Sequence, residues 1–559
     1  MAVGFSIKVA GTLAELMLPY ILSHILSDVL TQQIKDIVFW GGMMLLCSAA
    51  ACFLNVVANR MAAKVSSGFA ENMRRDLFAK TLRLSASQTD SFTIASLESR
   101  ITTDTYNVHS FVNMVQRMGV RAPILLAGGI TIAMFMDAYL ALVMVAVAPL
   151  IFVTVLFISK KGVPLYAAVQ KAVDSMVRVV REDVQGIRVI KALSKTDYEN
   201  RRYNGVNEGL VKKEKKAGII MGSVNPIMTM LMNAGSVAVI AISSGRIANG
   251  LSQPETVIAF MQYFTHISMS MMAVTRIFMM YTKCAASSKR IAEVLDCPED
   301  NTVRSKSEFP DKKTDSLICF DSVTFSYNGK RNNLENISFE LNPGSSLGII
   351  GATGSGKTTL IKLLLRFYDT SEGAIYINGE DIRTIDKEKL YSMFGTAQQH
   401  DFLFADTIGE NIRFGRDISD EDIVRAATVA QAHDFISSFE AGYNHDLSQH
   451  GTNISGGQKQ RILIARALAA APRILILDDS SSALDYKTDA ALRRALSDEL
   501  QNTTLITVAQ RVSSVKDCSL IMVLDNGKII GAGTHEYLLE NCCEYREISD
   551  SQMGGAFID

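Results

Sequence analysis

The chain has 559 residues, too many for one hydrophobic core, so at least two domains are expected. Hydrophobic residues make up 48% of it and its mean hydropathy is +0.16, which is high for a soluble protein and favours a membrane component. The formal net charge of -1 gives no support for a nucleic-acid partner. The eight cysteines lack the spacing of a zinc site or of a disulfide framework.

Long apolar stretches fill the first half of the chain. Each contains at least the roughly 20 residues that a helix needs to cross a bilayer. The stretch AYLALVMVAVAPLIFVTVLFI (138–158) is the clearest, because it contains no charged residue. An even number of spans would place both ends of the region on the same side of the membrane. We predict six membrane helices, near residues 2–30, 37–63, 115–135, 138–159, 217–245 and 254–282.

The basic residues predict which side that is. The segment 160–216 carries fourteen Lys and Arg residues, whereas the short turns between other spans hold only Lys35 and Arg246. The positive-inside bias therefore places 160–216 and both termini in the cytoplasm. No signal peptide precedes the first span, so we expect that span to be retained. The sequence predicts a multi-pass protein of the cell membrane, in contact with the lipid bilayer.

Two cytoplasmic stretches, 64–112 and 160–216, are too long for simple loops. In SMVRVVREDVQGIRVIKAL (175–193) apolar residues recur every three or four positions among charges, a pattern typical of a helix. We therefore expect the membrane helices to continue into the cytosol. The polar segment 296–315 contains two prolines and is typical of a linker. It separates an all-α membrane domain, residues 1–295, from the second half of the chain.

Strands and helices alternate in residues 316–559, which predicts an α/β domain. SLICFDSVTFSY, LGIIG and RILILD have the composition of strands, and GKTTLIKLLLRFY has that of a helix. The predicted fold class is thus a six-helix membrane domain with long cytoplasmic extensions, joined to an α/β domain of the P-loop type.

The P-loop assignment depends on GATGSGKTT (351–359), which follows the strand LGII and opens a helix. Its glycines would let backbone N–H groups point at phosphate, and Lys357 would supply a cation to the β- and γ-phosphates. The Thr358 hydroxyl would ligate Mg²⁺. A chance Gly-rich turn is the alternative, but strand, lysine and helix occur together. The predicted nucleotide contacts are Gly351, Thr353, Gly354, Ser355, Gly356, Lys357, Thr358 and Thr359.

Two further motifs belong to the same chemistry. Asp478 ends the strand RILILD, where a carboxylate could reach the metal shell; a helix N-cap is the alternative. In NISGGQKQRILIARAL (453–468) a hydroxyl and exposed N–H groups open a second helix, another anion-binding arrangement. One chain rarely needs two such devices for one nucleotide, whereas two chains facing head to tail would use both. The residues of this second device are Ser455, Gly456, Gly457 and Gln458.

Together these motifs resemble those of ABC exporter half-transporters of the type IV fold, along nearly the whole chain. The resemblance implies six membrane helices and one nucleotide-binding domain, working as a dimer with ATP and Mg²⁺. It implies that Tyr327 stacks on adenine, that Gln399 senses Mg²⁺ and the γ-phosphate, and that Asp485 lies at the dimer interface. The segments 92–105 and 185–193 resemble the intracellular helices that couple the membrane domain to the ATPase domain.

Two residues depart from that family pattern. Asp479 stands where the family usually has the Glu that polarises the attacking water, and Gln510 stands where it has a histidine. Asp is one methylene shorter, and a displacement of about 1 Å can cost on the order of 10²-fold in rate. Gln can donate a hydrogen bond but carries no positive charge. Either change alone is compatible with sequence drift, but together they predict that this site binds ATP and hydrolyses it weakly.

Such a chain resembles the degenerate-site subunit of heterodimeric multidrug ABC exporters. The resemblance implies a second half-transporter that carries the usual Glu and His. This chain's signature motif, ISGGQ (454–458), would complete the hydrolytic site of that partner. A homodimeric lipid or peptide exporter is one alternative. An ATP-gated channel or regulatory subunit that moves nothing uphill is another.

The substrate predictions rest on weaker patterns. Ten of the 25 methionines lie in 217–282, which suits a cavity for hydrophobic or amphipathic compounds; lipid-facing packing is the alternative. Gln262, His266 and Arg276 fall on one face of the last span, and polar groups at that depth usually face protein or water. Glu15 could attract cationic compounds or pair with Arg276; a structural ion pair or an interfacial position is the alternative.

Overall fold

The computed structural model describes residues 2–30, 34–298, 302–398, 402–480 and 483–553. The chain forms two compact units. The first consists of Met1–Arg83 and Phe92–Cys297, and the second of Leu84–Ser91 and Pro298–Asp559. The second unit thus includes a short segment that is inserted, in sequence, within the first.

The first unit is all-helical in its described residues. Two short π-helical turns, Arg100–Asp104 and Val115–Gly119, join three of its helices end to end. A further helix, α3 (Ala86–Phe92), falls in the second unit except for its last residue. The helices of the first unit are α1 (Ala2–Leu30), α2 (Ile34–Arg83), α4 (Ile94–Ser99), α5 (Thr105–Met114), α6 (Val120–Met136), α7 (Ala138–Gln185), α8 (Ile187–Ala192), α9 (Thr196–Gly222), α10 (Val224–Ala248) and α11 (Pro254–Leu295).

Six helical segments of the described chain are long and apolar enough to cross a membrane, which confirms the predicted number. Their buried core joins α1, α7 and α11 through Leu16, Met144, Phe260 and Tyr263. The Tyr263 hydroxyl donates a hydrogen bond of 2.9 Å to the Leu16 carbonyl, so this buried phenol does not lack a partner.

Several helices extend well beyond one bilayer thickness, as the sequence predicts. The 50 residues of α2 span about 75 Å at 1.5 Å per residue, against a hydrocarbon core of about 30 Å. One expectation about these extensions was too simple. The stretch 175–193 is not one helix, because Gly186 leaves the helical conformation between α7 and α8. The apolar periodicity continues across a residue whose backbone has unusual freedom.

The second unit contains two sheets. One is antiparallel, with strand order β2-β1-β4-β5, and the other has the order β10-β9-β3-β8-β7-β6. The five strands β9, β3, β8, β7 and β6 are mutually parallel, and β10 pairs antiparallel with β9. The strands are β1 (Ile318–Phe325), β2 (Leu334–Leu341), β3 (Ser346–Ile350), β4 (Glu372–Ile377), β5 (Glu380–Asp381), β6 (Phe394–Ala397), β7 (Ile474–Asp478), β8 (Thr504–Val508), β9 (Leu520–Asp525) and β10 (Lys528–Gly533).

Helices pack against these sheets, and all five residues of β7 are buried, as expected for a central parallel strand. The predicted helix GKTTLIKLLLRFY is shorter than expected. It ends at Leu364, and Arg366, almost fully buried, takes a positive φ of 51°. The helices are α12 (Lys357–Leu364), α13 (Lys387–Ser392), α14 (Ile408–Arg413), α15 (Asp420–Val429), α16 (His433–Ser437), α17 (Gly456–Leu468), α18 (Tyr486–Glu499), α19 (His535–Asn541) and α20 (Cys543–Met553).

The parallel sheet explains where a site can form. Strands β3, β8 and β7 are neighbours, so their carboxyl ends lie at one edge. In open α/β sheets ligands bind at that edge. The loop after β3, the acids at the end of β7 and the residues after β8 therefore meet.

Candidate nucleotide-binding site

A cavity of about 360 Å³ lies at the carboxyl ends of the central strands. It brings together residues that are separated by more than 150 positions in the sequence. Of the residues predicted from the motifs, it is lined by Thr353, Gly354, Gly356, Lys357, Thr358, Thr359, Asp478, Asp479 and Gln510.

The glycines of the loop after β3 are required by its backbone. Gly354 and Gly356 have φ values of +84° and +105°, in the region that favours glycine. A Cβ on Gly351 would lie 2.1 Å from the Leu524 carbonyl oxygen, and one on Gly356 would lie 2.7 Å from Leu334. The loop thus keeps its shape only without these side chains.

Lys357 is the first residue of α12, and its ammonium turns back over the loop. Its Nζ donates hydrogen bonds of 2.8 Å to the carbonyls of Gly351 and Ala352. Burial lowers the pKa of this ammonium, while Asp478 and Asp479 oppose that effect. These partners leave a cation facing the cavity with no carboxylate hydrogen-bonded to it in the described chain.

The loop also contains a buried hydroxyl that has no hydrogen-bond partner among the described residues, Ser355 Oγ. Ser355 is 3% exposed, and such a group is costly unless something satisfies it. Ser355 does not line the cavity; the Lys357 ammonium and the N-terminus of α12, which do, together fit a polyphosphate anion.

A metal ion would have two oxygen ligands here. The Thr358 hydroxyl and the carboxylate of Asp478, which is buried at the end of β7, line the same cavity. No group of three or more His, Cys, Asp or Glu side chains in the described residues could hold a metal by itself. This donor set suits Mg²⁺, which keeps waters and substrate phosphates in its shell. The third predicted ligand, Gln399, lies outside the described residues.

The two unusual residues are in contact. Gln510 Nε2 donates a hydrogen bond of 3.1 Å to Asp479 Oδ2. Asp479 has a positive φ of 50°, and its N–H donates to the Val508 carbonyl at 2.9 Å, which fixes its backbone beside β8. Asp479, in the place of the usual Glu, and Gln510, in the place of the usual His, thus form one hydrogen-bonded pair in the cavity that the P-loop lines.

Tyr327 lies beside the cavity rather than in its lining. Its ring is 44% exposed, and its hydroxyl is 3.4 Å from Thr359 Oγ1. The ring packs edge-on against Phe325 and Tyr368, with centroids 4.9 and 5.0 Å away. These contacts leave the ring partly exposed next to the phosphate loop, where a base could stack, with Lys362 Nζ 5.8 Å from the ring centroid.

The residues of the second anion-binding motif, by contrast, are not part of this cavity. Ser455 is the N-cap of α17 and forms a capping box with Gln458 through hydrogen bonds of 2.9 and 3.3 Å. Ser455 and Gly456 are exposed. Asp485, the other predicted interface residue, is an exposed N-cap of α18 that accepts hydrogen bonds from Thr488.

The structure adds residues to the cavity that sequence analysis missed. Asn333 precedes β2 and Asn526 lies in the β9–β10 turn, and both line the cavity with Arg331. They come from turns that touch the P-loop only after the two sheets pack together. An asparagine in a turn is too common a feature to have identified them.

The predicted substrate residues of the last span occupy one side of α11. Gln262 and Arg276 are exposed and His266 is half-buried, whereas Tyr263 and Ile267 between them are buried. For Glu15 the structure supports the alternative of a structural ion pair, with a partner other than Arg276. Both carboxylate oxygens of Glu15 accept hydrogen bonds from Arg121, not Arg276.

This pairing changes what Glu15 can do. Its charge is already balanced, so it is not a free anion for a cationic compound. Sequence analysis also missed Lys8, which is buried in α1 and donates to Asn55 and Asn59 at 2.7 and 3.2 Å. The first span therefore contains two polar contacts to its neighbours that hydropathy alone does not reveal.

The two predicted coupling segments and the segment Leu84–Ser91 fall in different units of the structure. Both 92–105 and 185–193 belong to the first unit, whereas Leu84–Ser91 belongs to the second. Within that second unit, the Tyr368 hydroxyl donates a hydrogen bond to Asp90, and Tyr368 also touches Tyr327. The segment Leu84–Ser91, which lies just before 92–105, thus packs with the nucleotide-binding fold.

Comparison with known proteins identifies the family. The model of the ABC transporter transmembrane region matches residues 1–271, and that of the ABC transporter matches residues 334–482. The uncharacterized ABC transporter ATP-binding protein YfiB of Bacillus subtilis is 34% identical over 543 residues, covering 97% of this chain and 94% of that protein. The chain belongs to the ABC transporter family.

Other relatives agree with this assignment. The uncharacterized ABC transporter ATP-binding protein MT1311 of Mycobacterium tuberculosis is 32% identical over 558 residues, covering 99% of this chain and 96% of that one. A solved structure of a bacterial Atm1-family ABC exporter with ATP bound matches with a TM-score of 0.82 and 22% identity. The match covers 100% of this chain and 97% of the solved chain, so the two chains share a fold.

The resemblance inferred from the motifs is therefore confirmed. This ABC transporter chain is a multi-pass membrane protein with one ATP-binding domain, a half-transporter of the type IV exporter fold. Such a half-transporter works as a dimer, with itself or with another half-transporter. The ABC transporter domain implies that the chain binds ATP.

Proposed function

We propose that this chain is the degenerate-site subunit of a heterodimeric ABC exporter. It binds Mg²⁺ and ATP at Lys357, Thr358 and Asp478, hydrolyses that ATP slowly, and completes the hydrolytic site of a partner half-transporter. The nucleotide-binding domain and both termini are cytoplasmic. The exported compounds are hydrophobic or amphipathic, as in multidrug exporters.

One observation carries this proposal: the hydrogen bond between Gln510 and Asp479. A general base must accept a proton from the attacking water in the right geometry. The carboxylate of Asp479 is one methylene short of Glu and is bonded to an amide that cannot take up a proton or carry a charge. The two departures from the family pattern thus act on the same carboxylate, so they reinforce each other.

The signature motif supports the other half of the proposal. Its capping box preorganises the N-terminus of α17, yet Ser455 and Gly456 are exposed and outside the chain's own cavity. Preorganised donors at a helix start are most useful where phosphate charge develops. A second half-transporter would supply that phosphate, held by its own P-loop.

The substrate class is supported by the outer side of the last span. Met261, Met269 and Met272 are exposed there alongside Gln262 and Arg276. Flexible, polarizable methionines adapt to apolar ligands of different shapes. A polar group at membrane depth faces protein or water rather than acyl chains. Since Arg121 balances Glu15, the proposal does not include a charge preference for cations.

The test compares the purified chain alone with the chain in complex with the half-transporter that co-purifies with it. The chain alone should bind ATP but turn it over far below the rate of about 1 s⁻¹ or more that is ordinary for a transporter. The complex should hydrolyse ATP at that ordinary rate, and Asp479→Ala in this chain should leave most of it.

Two results would count against the proposal. Ordinary turnover by the chain alone would favour a homodimeric exporter. If Asp479→Ala abolished turnover as completely as removal of the partner's catalytic Glu, Asp479 would be a working catalytic residue. Vesicle uptake of an amphipathic dye against a gradient separates an exporter from an ATP-gated channel, which would only equilibrate the dye.

A further inference from the structure

The segment that carries Gln510 packs against the helices α19 and α20. Ala509, Val512 and Val515 are buried in an apolar cluster with Leu538 and Tyr545, which belong to α19 and α20. Gln510 itself is exposed toward the nucleotide cavity. The segment 509–515, here called the switch segment, therefore has an apolar side that faces the C-terminal helices and a polar side that faces the site.

One side chain of α20 binds the backbone of this segment twice. Gln552 Nε2 donates a 2.8 Å hydrogen bond to the Gln510 carbonyl, and Gln552 Oε1 accepts a 2.8 Å hydrogen bond from the Val512 N–H. A carbonyl can only accept and an N–H can only donate, so the orientation of the amide is determined by its partners. The amide satisfies both at once because its donor and its acceptor are separate atoms.

The helix that begins at the predicted interface residue Asp485 holds the same segment from another direction. Arg493 of α18 donates a 2.6 Å hydrogen bond to the Ser513 carbonyl and forms an ion pair with Asp489 at 3.2 Å. This contact is three residues beyond Gln510. The bond from Gln552 is to Gln510 itself, so it acts more directly on where that side chain can reach.

We propose that Gln552 is a positioning residue for Gln510, through which α20 sets the geometry of the nucleotide site. The Gln510 side chain reaches Asp479 Oδ2 at 3.1 Å from a backbone that Gln552 holds on both sides of Arg511. Without the Gln552 amide, water replaces both bonds and the backbone of Gln510 gains freedom. The bond between Gln510 and Asp479 is then made less often.

This inference rests on the proposed function only for its first readout, the retention of ATP at this site. The test uses the full-length transporter and follows release of a fluorescent ATP analogue with Mg²⁺. The component of release that Lys357→Ala removes belongs to this chain's own site. In that component, Gln552→Ala should accelerate release roughly two- to tenfold, the range of one neutral hydrogen bond.

A double-mutant cycle separates positioning from general support. In a Gln510→Ala background, Gln552→Ala should have no further effect on release, because the side chain that it positions is gone. Gln552→Asn, one methylene too short to reach both groups, should behave like Gln552→Ala. Gln501→Ala, an exposed amide of the same domain, is the matched control and should change nothing.

Three results would overturn the inference. One is unchanged release in both Gln552 variants with an unchanged unfolding midpoint. Another is equal acceleration in the presence and absence of the Gln510 side chain, which would indicate mere structural support. The third is an equal effect of Gln501→Ala.

If the site instead hydrolyses ATP, the proposed function is wrong. Gln552→Ala should then lower kcat at this site with KM nearly unchanged, and the coupling between Gln552 and Gln510 should remain.

Discussion

In the described part of the nucleotide-binding domain, the two helix starts that the sequence predicts to bind anions differ in their surroundings. Helix α12 begins at Lys357 inside a cavity, next to Asp478, Asp479 and Gln510. Helix α17 begins after Ser455 at an exposed surface, with its capping box formed. Under the proposed function, the first helix start belongs to the chain's own ATP site and the second completes the site of a partner half-transporter. Substitutions at each helix start can test whether the two serve different nucleotides.

The largest effect is expected at the exposed helix start. Gly457→Asp adds a carboxylate where the proposed partner phosphate approaches, and its Cβ would lie 3.1 Å from the Ala483 carbonyl oxygen. ATP hydrolysis by the complex should fall at least about 10²-fold, as when a transition-state donor is lost. Binding at this chain's own P-loop should stay nearly intact. Steady-state ATPase and nucleotide-binding assays on the same preparation measure both.

Gly442→Asp is a suitable control for that substitution. It adds the same charge to the same domain, at a position where a Cβ would meet nothing within 4 Å and where φ is +53°. Asp tolerates the left-handed region better than most residues. Hydrolysis near the wild-type rate in Gly457→Asp would mean that the signature motif does not serve an active site.

The reverse separation is expected at the buried helix start. Lys357→Ala removes the ammonium that faces the cavity and should weaken ATP binding at this site roughly 10- to 100-fold, the range of hydrogen bonds to a charged group. Hydrolysis at the partner's site should remain measurable. Lys389→Ala removes an exposed lysine that is paired with Glu380 and serves as the control. Complete loss of hydrolysis with Lys357→Ala would make the two sites inseparable.

A smaller effect is expected from repairing the pair at the cavity. Asp479→Glu together with Gln510→His should restore a base and a cation, and so raise hydrolysis at this site about tenfold or more. The partner bearing an inactivated catalytic Glu isolates this contribution. The gain requires a functional signature motif in the partner, so the partner's sequence decides in advance whether a gain is expected. With an intact partner signature, no gain would argue against the proposed role of Asp479.

The smallest effect is expected beside the cavity. Tyr327→Ala removes the open aromatic face and should weaken ATP binding roughly three- to tenfold, the usual range for one stacking contact. Tyr327→Phe keeps the ring and loses only the long contact to Thr359, so it should bind nearly as well as wild type. Equal weakening in both variants would assign the effect to the hydroxyl rather than to stacking.

The motifs at the two helix starts could be predicted from short stretches of sequence. The P-loop, the strand that ends at Asp478 and the signature motif are local patterns, in which a strand, a turn and a helix start follow one another within about ten residues. The six membrane helices are equally local, since hydropathy is summed along one segment. The family comparisons agree with the family and the fold that these local patterns predict.

Predictions that depended on distant partners fared worse. Glu15 pairs with Arg121 rather than Arg276, because helix packing and not helical periodicity decides which charged residues meet. Sequence analysis also did not predict that Leu84–Ser91 joins the second unit. The interruption at Gly186 and the early end of α12 show that apolar periodicity does not mark where the backbone leaves the helix.

The sequence by itself determined which residues could bind ATP, because the P-loop backbone and its lysine are neighbours in the chain. It also determined that Asp479 and Gln510 are unusual. Only the tertiary structure decided that these two residues bond to each other across 31 positions, and that Gln552 holds Gln510 across a further 42. Such contacts form when parallel strands and the C-terminal helices pack, and amides at unremarkable positions leave no pattern from which to predict them.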